Sequence, residues 1–319
     1  MKWTSSCALV FFCISFSSSV VAYDINELIL KELKHDGALL DFKNVGNLED
    51  RGVGRLAQSR LLKRVKILGL YGQNVGDAGI EALAGSKYLK KIEVLNLLSN
   101  KVGARGAELI AKSENFRNLR NLNLQWNRIG EAGVRALAGS ENVIHLEALN
   151  LTSNGIGDEG AQAIAQSGSL RHLKELKLGD NGISDTGLKA LAGSPYLRAL
   201  EVLDLFGNHV GAKGVEALAE SPVVKNLRVL VLKKNTIGDR GVAAVARSGT
   251  LQNLEELDLQ WNGVTKDGAS SLAASKTLPK LWILKMWGNE IGEAGRQSLE
   301  TSPNFDITNP IYAGEESSP

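Results

Sequence analysis

Leu119-Arg120-Asn121-Leu122-Asn123-Leu124-Gln125-Trp126-Asn127-Arg128-Ile129-Gly130, continued by Glu131-Ala132-Gly133-Val134-Arg135-Ala136-Leu137-Ala138, decides the fold of this chain. Leucine alternates with polar residues up to Asn127, the period-two pattern of a short strand with one buried face. Six residues past the asparagine stands Gly133, and from Val134 to Ala138 alanine and leucine take helical spacing. One unit therefore reads as strand, tight bend, helix and return. Outward from this stretch the unit recurs every 27 residues: its asparagine reappears at Asn100, Asn154, Asn181, Asn208, Asn235, Asn262 and Asn289. Its glycine runs from Gly79 and Gly106 to Gly295, and a serine follows each asparagine position by thirteen residues, from Ser86 to Ser302. Such a period marks a solenoid, in which no unit buries its own apolar face and each leans on its neighbours.

Each column has a physical reason. A buried asparagine carries both donor and acceptor groups, so it can satisfy backbone groups orphaned where strand turns into bend. The glycine stands at the helix entry, where a missing side chain allows close packing or an unusual dihedral. The serine near the helix end is expected to cap backbone groups of the return loop. None of these columns is assigned to binding.

The stretch from Leu119 to Ala138 resembles the leucine-rich repeat, and the long unit with a true helix resembles the ribonuclease-inhibitor-like class. The resemblance extends over residues 65 to about 300. It implies an α/β solenoid, a horseshoe with parallel strands on the concave side, helices on the convex side, and protein ligands bound on the concave face.

The domain reading follows the period. Residues 65–302 form nine repeats, and residues 23–64 form an N-terminal cap. In that cap Leu40-Asp41-Phe42 is a degenerate strand, Gly52 and Ser59 keep register, and one extra residue separates strand from glycine. Residues 24–36 have apolar spacing suited to one amphipathic helix over that end. Residues 303–319 form a C-terminal cap, with Phe305 still in the hydrophobic column, and a polar tail expected to be disordered. Residues 1–22, with Lys2, an apolar run from Ala8 to Phe16 and Val20-Val21-Ala22, read as a secretory signal peptide cleaved after Ala22. The run is too short to span a bilayer. A lipoprotein site at Cys13 is disfavoured by the bulky Phe12 before it.

Both cysteines, Cys7 and Cys13, lie in that leader, so the mature chain has no thiol and no disulfide framework. Export without disulfides points to a secreted, periplasmic or cell-surface bacterial protein. Loss of Lys2 leaves 36 basic against 35 acidic residues. A balance so near neutral gives no concentrated basic excess and no reason to expect nucleic acid or anionic lipid. His145 and His172 share a column one period apart, but no third ligand accompanies them, and they read as surface residues. No phosphate-binding loop or nucleophile motif occurs. No enzymatic activity, cofactor or metal is expected. The sequon Asn150-Leu151-Thr152 lies on a strand and reads as a chance match.

With the asparagine as position nine of each repeat, positions four and six point into the core, three, five and seven line the concave sheet, and eight sits at its rim. Position seven then holds Tyr71, Phe206, Lys233 and Trp287, position eight holds Trp126 and Trp261, and position five holds Asp258 and Lys285. Leucine, isoleucine and valine fill the core columns, so these aromatics are not there to fill it. Exposed aromatics on a rigid sheet are common anchors of protein interfaces. These eight residues form the candidate partner-binding set, and Trp282 at position two reads as a packing residue. Eight strand intervals of about 4.8 Å give a sheet roughly 40 Å long, ample for a standard interface of about 800 Å² per partner. The expectation is a monomeric, exported scaffold that recognises a protein or peptide. A structural envelope or surface spacer and a regulator of a partner enzyme are the alternatives.

Overall fold

The structure, a computed structural model, describes residues 24–43 and 45–303. Residues 1–22, read above as a leader, and Phe305 with the polar tail lie outside the described residues. Among the described residues one sheet of eleven strands runs in chain order. Its members are β1 (Leu33–Lys34), β2 (Leu39–Asp41), β3 (Ile67–Gly69), β4 (Val94–Asn96), β5 (Asn121–Asn123), β6 (Ala148–Asn150), β7 (Glu175–Lys177), β8 (Val202–Asp204), β9 (Val229–Val231), β10 (Glu256–Asp258) and β11 (Ile283–Lys285). From β2 onward every neighbouring pair is parallel. Between the parallel pairs of the regular repeats the register advances by one repeat, Leu203 pairing with Leu230 and Leu230 with Leu257. A helix follows each strand from β2 on, so helices stack against helices on one face while strands stack in the sheet. Packed helices need 8–10 Å between axes and strands about 4.8 Å, so the strand side is the inner, concave one. The two core columns are buried throughout, as at Leu203 and Leu205.

The N-terminal end departs from the sequence reading in one respect. Helix α1 (Ile25–Glu32), capped by Asp24 through a bond from the Asn26 N–H at 2.9 Å, ends four residues before the expected limit of 36. The chain turns through His35, Asp36 and Gly37, all with left-handed φ, and β1 pairs antiparallel with β2. That hairpin occupies the first edge of the sheet, which would otherwise present unpaired backbone groups.

The asparagine side chains tie consecutive repeats together. Asn208 Oδ1 accepts the N–H groups of Asn181 at 3.1 Å and Ile183 at 3.0 Å in the preceding repeat. Its Nδ2 donates to the carbonyls of Leu178 at 3.0 Å in that repeat and of Leu205 at 2.9 Å in its own. In the first regular repeat Gln73 takes the place. Its Nε2 reaches the carbonyls of Phe42 at 3.1 Å and Val45 at 3.3 Å, and its Oε1 accepts the Leu48 N–H at 3.1 Å. The longer side chain spans the extra residue of the degenerate first unit. The serine column bonds between repeats as well: Ser194 Oγ donates to the Ala165 carbonyl at 2.6 Å and accepts the Tyr196 N–H at 3.2 Å.

The glycine column exists for close approach. A Cβ on Gly106 would stand 2.5 Å from Asp77 Oδ1 and 2.6 Å from Val102 Cγ1, while its backbone is ordinary helix. Asp77 belongs to a further set of residues, at position thirteen, that caps the helix of the next repeat. Asp185 Oδ1 accepts the N–H groups of Gly211 at 2.7 Å and Gly214 at 2.9 Å, and Asp50, Asp77, Asp158 and Asp239 act likewise. Where position thirteen holds Ala104, Glu131, Ala212 or Lys266, the next helix starts differently. Gly130, Gly157, Gly238 and Gly292 there take left-handed φ of 57° to 61°. Two incompatible junctions thus alternate irregularly along the solenoid.

The two junctions predict unequal losses on removing the aspartate. Asp239→Ala strands the N–H groups of Thr265 and Gly268 and the Thr265 hydroxyl, which donates to Asp239 Oδ2 at 2.6 Å. Thr265 is β-branched and resists the left-handed alternative. Asp185→Ala leaves Gly211 free to adopt it. Urea denaturation should show a loss of about 2–3 kcal/mol for Asp239→Ala and about 1 kcal/mol for Asp185→Ala. Equal losses would contradict the two-junction account.

Candidate interaction face

Position eight is more constrained than a rim. Gly72, Ser99, Trp126, Ser153, Asp180, Gly207, Lys234, Trp261 and Gly288 all have left-handed φ, between 50° and 75°. Each N–H of this column from Gly72 to Trp261 donates to the position-seven carbonyl of the next repeat, as Trp261 does to Trp287 at 3.0 Å. The left-handed turn is what extends the inter-repeat ladder past the end of the strand. For a bulky L-residue that conformation costs roughly 1–2 kcal/mol. Trp126 and Trp261 hold it while remaining 55% and 37% exposed. Strain kept by a bulky side chain that stays partly exposed is a mark of functional positions.

Four of the candidate residues come together on β8 to β11. The Lys234 ammonium lies 5.5 Å from the Phe206 ring centroid, and Phe206 is half-buried. Lys233, beside it, is half-buried with no ion-pair partner among the described residues. Trp261 and Trp287 meet edge to face, their centroids 4.7 Å apart at 89°, a geometry that adds to the attraction from buried area. The Trp261 indole occupies the space that a side chain at 288 would need. A Cβ on Gly288, whose φ is +75°, would stand 2.4 Å from Trp261 Cδ2. Lys285 is engaged with Glu256 at 2.5 Å. The result is an aromatic surface with cations at its margin.

Tyr71 and Trp126 are not part of this group. Tyr71 lies beside β3, near Asp41, and burial followed by the Asp41 charge raises its hydroxyl above the usual phenol range. Trp126 follows β5, roughly 24 Å from Trp261 along five strand intervals. Beside Trp126 the floor is amide: Asn150 Nδ2 donates to Gln125 Oε1 at 3.1 Å, so the sequon asparagine is already engaged, and on β7 Lys177 pairs with Glu175 at 2.6 Å.

Two sequence expectations fail here. Asp258 is not available to a partner. It is 6% exposed, and its Oδ1 accepts the Gln260 N–H at 3.0 Å. Asn96, Asn123, Asn150 and Asp204 make the same bond to the residue two ahead. Where position five is Asn or Asp it therefore closes the strand with a local turn, and its polarity serves the backbone. Burial pushes the Asp258 and Asp204 carboxyls up against the opposing pull of these bonds. Trp282 is the second case: it stands 48% exposed on the edge of the sheet where the strands begin, and is not a core residue.

Among the described residues no group of three or more His, Cys, Asp or Glu side chains is placed to hold a metal. No described helix is long and apolar enough to cross a membrane. The family model described as Leucine Rich repeat matches seven consecutive segments, 88–111, 117–138, 144–165, 169–192, 196–219, 225–246 and 250–273, which together cover half of the chain. A search of curated proteins finds no match.

Proposed function

The chain belongs to the leucine-rich repeat family, and on that premise we propose that it recognises a partner protein or peptide through its concave face, anchored on the aromatic surface of β8 to β11. Repeats of this family serve generally as protein-interaction scaffolds, and the fold is typically non-catalytic. The observation that carries the finer reading is Trp261, held in a left-handed turn, partly exposed, and locked edge to face on Trp287. Rigid, half-desolvated tryptophans of this kind dominate binding energy at protein interfaces. Lys233 and Lys234 at the margin favour a partner with acidic residues beside an apolar segment. Export is inferred from the composition of residues 1–22 alone.

Affinity capture from the secreted and envelope fractions of the native organism tests the reading. The quadruple variant Trp126→Ala, Phe206→Ala, Trp261→Ala, Trp287→Ala should lose the captured partner while keeping its circular dichroism and urea midpoint near the parent. Its affinity should fall about 100-fold or more. An unchanged set of captured proteins would make the solenoid a spacer, and recovery of the protein only from cytosol would remove export.

A further inference from the structure

Because β2 to β11 all run the same way, the nine loops that return from helix to strand emerge along one edge of the sheet. They occupy windows 59–66, 86–93, 113–120, 140–147, 167–174, 194–201, 221–228, 248–255 and 275–282, which contain sixteen Lys or Arg and six Glu. That surplus of ten sits in a chain whose total balance is +2, so the rest of the molecule nets −8. The near-neutral total conceals a strong separation of charge between this edge and everything else.

Within the edge, position two alternates in sign over eight repeats: Lys66, Glu93, Arg120, Glu147, Lys174, Glu201, Arg228 and Glu255. Lys66 meets Glu93 at 2.8 Å, Lys174 meets Glu147 at 2.9 Å, Arg228 meets Glu255 at 2.8 Å, and Arg120 also bonds Glu147. Most acids of the edge are therefore neutralised within it. Arg64, Lys87, Lys91, Arg198 and Lys225 are exposed and have no ion-pair partner among the described residues. The surplus is densest in the first three loops, whose Lys66, Lys91 and Arg120 line one open cleft with Glu93, Asn118 and His145 of the fourth loop. Two large aromatics on the edge stay partly exposed, Tyr196 at 41% and Trp282 at 48%.

We propose that this edge docks on an anionic lipid surface. Unpaired cations spread along roughly 40 Å of sheet edge match a field of headgroup charges, which attracts each Lys or Arg near it. Tryptophan and tyrosine favour the water–lipid boundary, where one end of the ring system stays wet. A single-stranded nucleic acid would call for aromatics interleaved with the cations as stacking platforms, whereas Tyr196 and Trp282 stand three loops apart. Docked edge-on, the molecule keeps its concave face clear of the membrane.

Co-sedimentation of the full chain with vesicles tests this, using phosphatidylcholine alone and an equal mixture of phosphatidylcholine and phosphatidylglycerol. Binding should appear with the mixture only and fall about tenfold or more at high salt. The triple variant Arg64→Gln, Lys87→Gln, Lys91→Gln should weaken it by about tenfold or more, and Trp282→Ala should weaken it at both salt concentrations. All four side chains are exposed, so an unchanged circular dichroism spectrum is expected alongside. Equal binding to neutral vesicles, no binding to the mixture, or an unaffected triple variant would overturn the proposal. So would retention on heparin or duplex DNA without vesicle binding. None of the triple-variant residues lies on the concave face, so failure here leaves the partner reading standing.

Discussion

Asn208→Ala is expected to lower the unfolding free energy by about 3–5 kcal/mol, near the upper end for a single substitution. The side chain is 6% exposed and links two repeats through bonds to Asn181, Ile183, Leu178 and Leu205. Alanine leaves two N–H groups and the Leu178 carbonyl facing a cavity lined by leucine. The Leu205 carbonyl keeps the bond from Asn235 at 2.9 Å and is spared. Asn208→Asp retains the acceptor and loses the donors, so it should fall between parent and alanine. Asn100→Ala, in a half-buried setting near the N-terminal end, should cost about 1–2 kcal/mol because water can replace part of its bonding. Urea titration of the three variants checks the order. A loss below about 1 kcal/mol for Asn208→Ala would show that the ladder is dispensable.

Two deletions of equal length should behave differently. Removing residues 158–184 joins Gly157 to Asp185. The repeat before still supplies Glu131 to a glycine-type helix start, and Asp185 still caps Gly211 and Gly214. Removing residues 132–158 joins Glu131 to Glu159 and takes away the carboxylate that Ser184 and Gly187 require. Each deletion also brings two like charges together in the position-two ladder, so that cost is common to both. Each excises 27 residues, one repeat, and a solenoid tolerates loss of a unit because repeats contact mainly their neighbours. The first variant should unfold cooperatively close to the parent. The second should lose about 2–3 kcal/mol more. Thermal unfolding of the pair decides the matter, and indistinguishable midpoints would remove the junction argument.

How much of this was legible in the residues varies with the kind of interaction. The period, the two core columns and the concave placement of Phe206 and Trp287 follow from spacing, because leucine at positions four and six can only face inward. The left-handed column had a visible trace. Gly72, Asp180, Gly207 and Gly288 share position eight, and these are residue types that tolerate positive φ. The tryptophans in the same column, which do not favour positive φ, mask that pattern. The hairpin after α1 was announced by Asp36-Gly37, a common two-residue turn, which the amphipathic spacing on either side outweighed.

Other features were hidden for a physical reason. Asp77, Asp185 and Asp239 look like surface charge until the neighbouring helix is placed over them, because their bonds cross between repeats. Asp258 looks like a ligand until its carboxylate is seen turned onto its own backbone. The basic edge disappears in a summed charge, since addition discards position. Each of these needs the stacking geometry before it has any meaning.

The irregular alternation of helix junctions has a consequence for folding itself. In a chain of interchangeable units, a strand could pair one unit too far along and find nearly the same leucines waiting. Such a slip would bury almost as much apolar surface as the native state and would compete with it. Here a slipped pairing would often bring a threonine or serine start against an alanine or lysine, or an aspartate against a glycine already turned away. Small mismatches at several junctions add up, and the native alignment becomes the one in which every helix start finds its own acceptor.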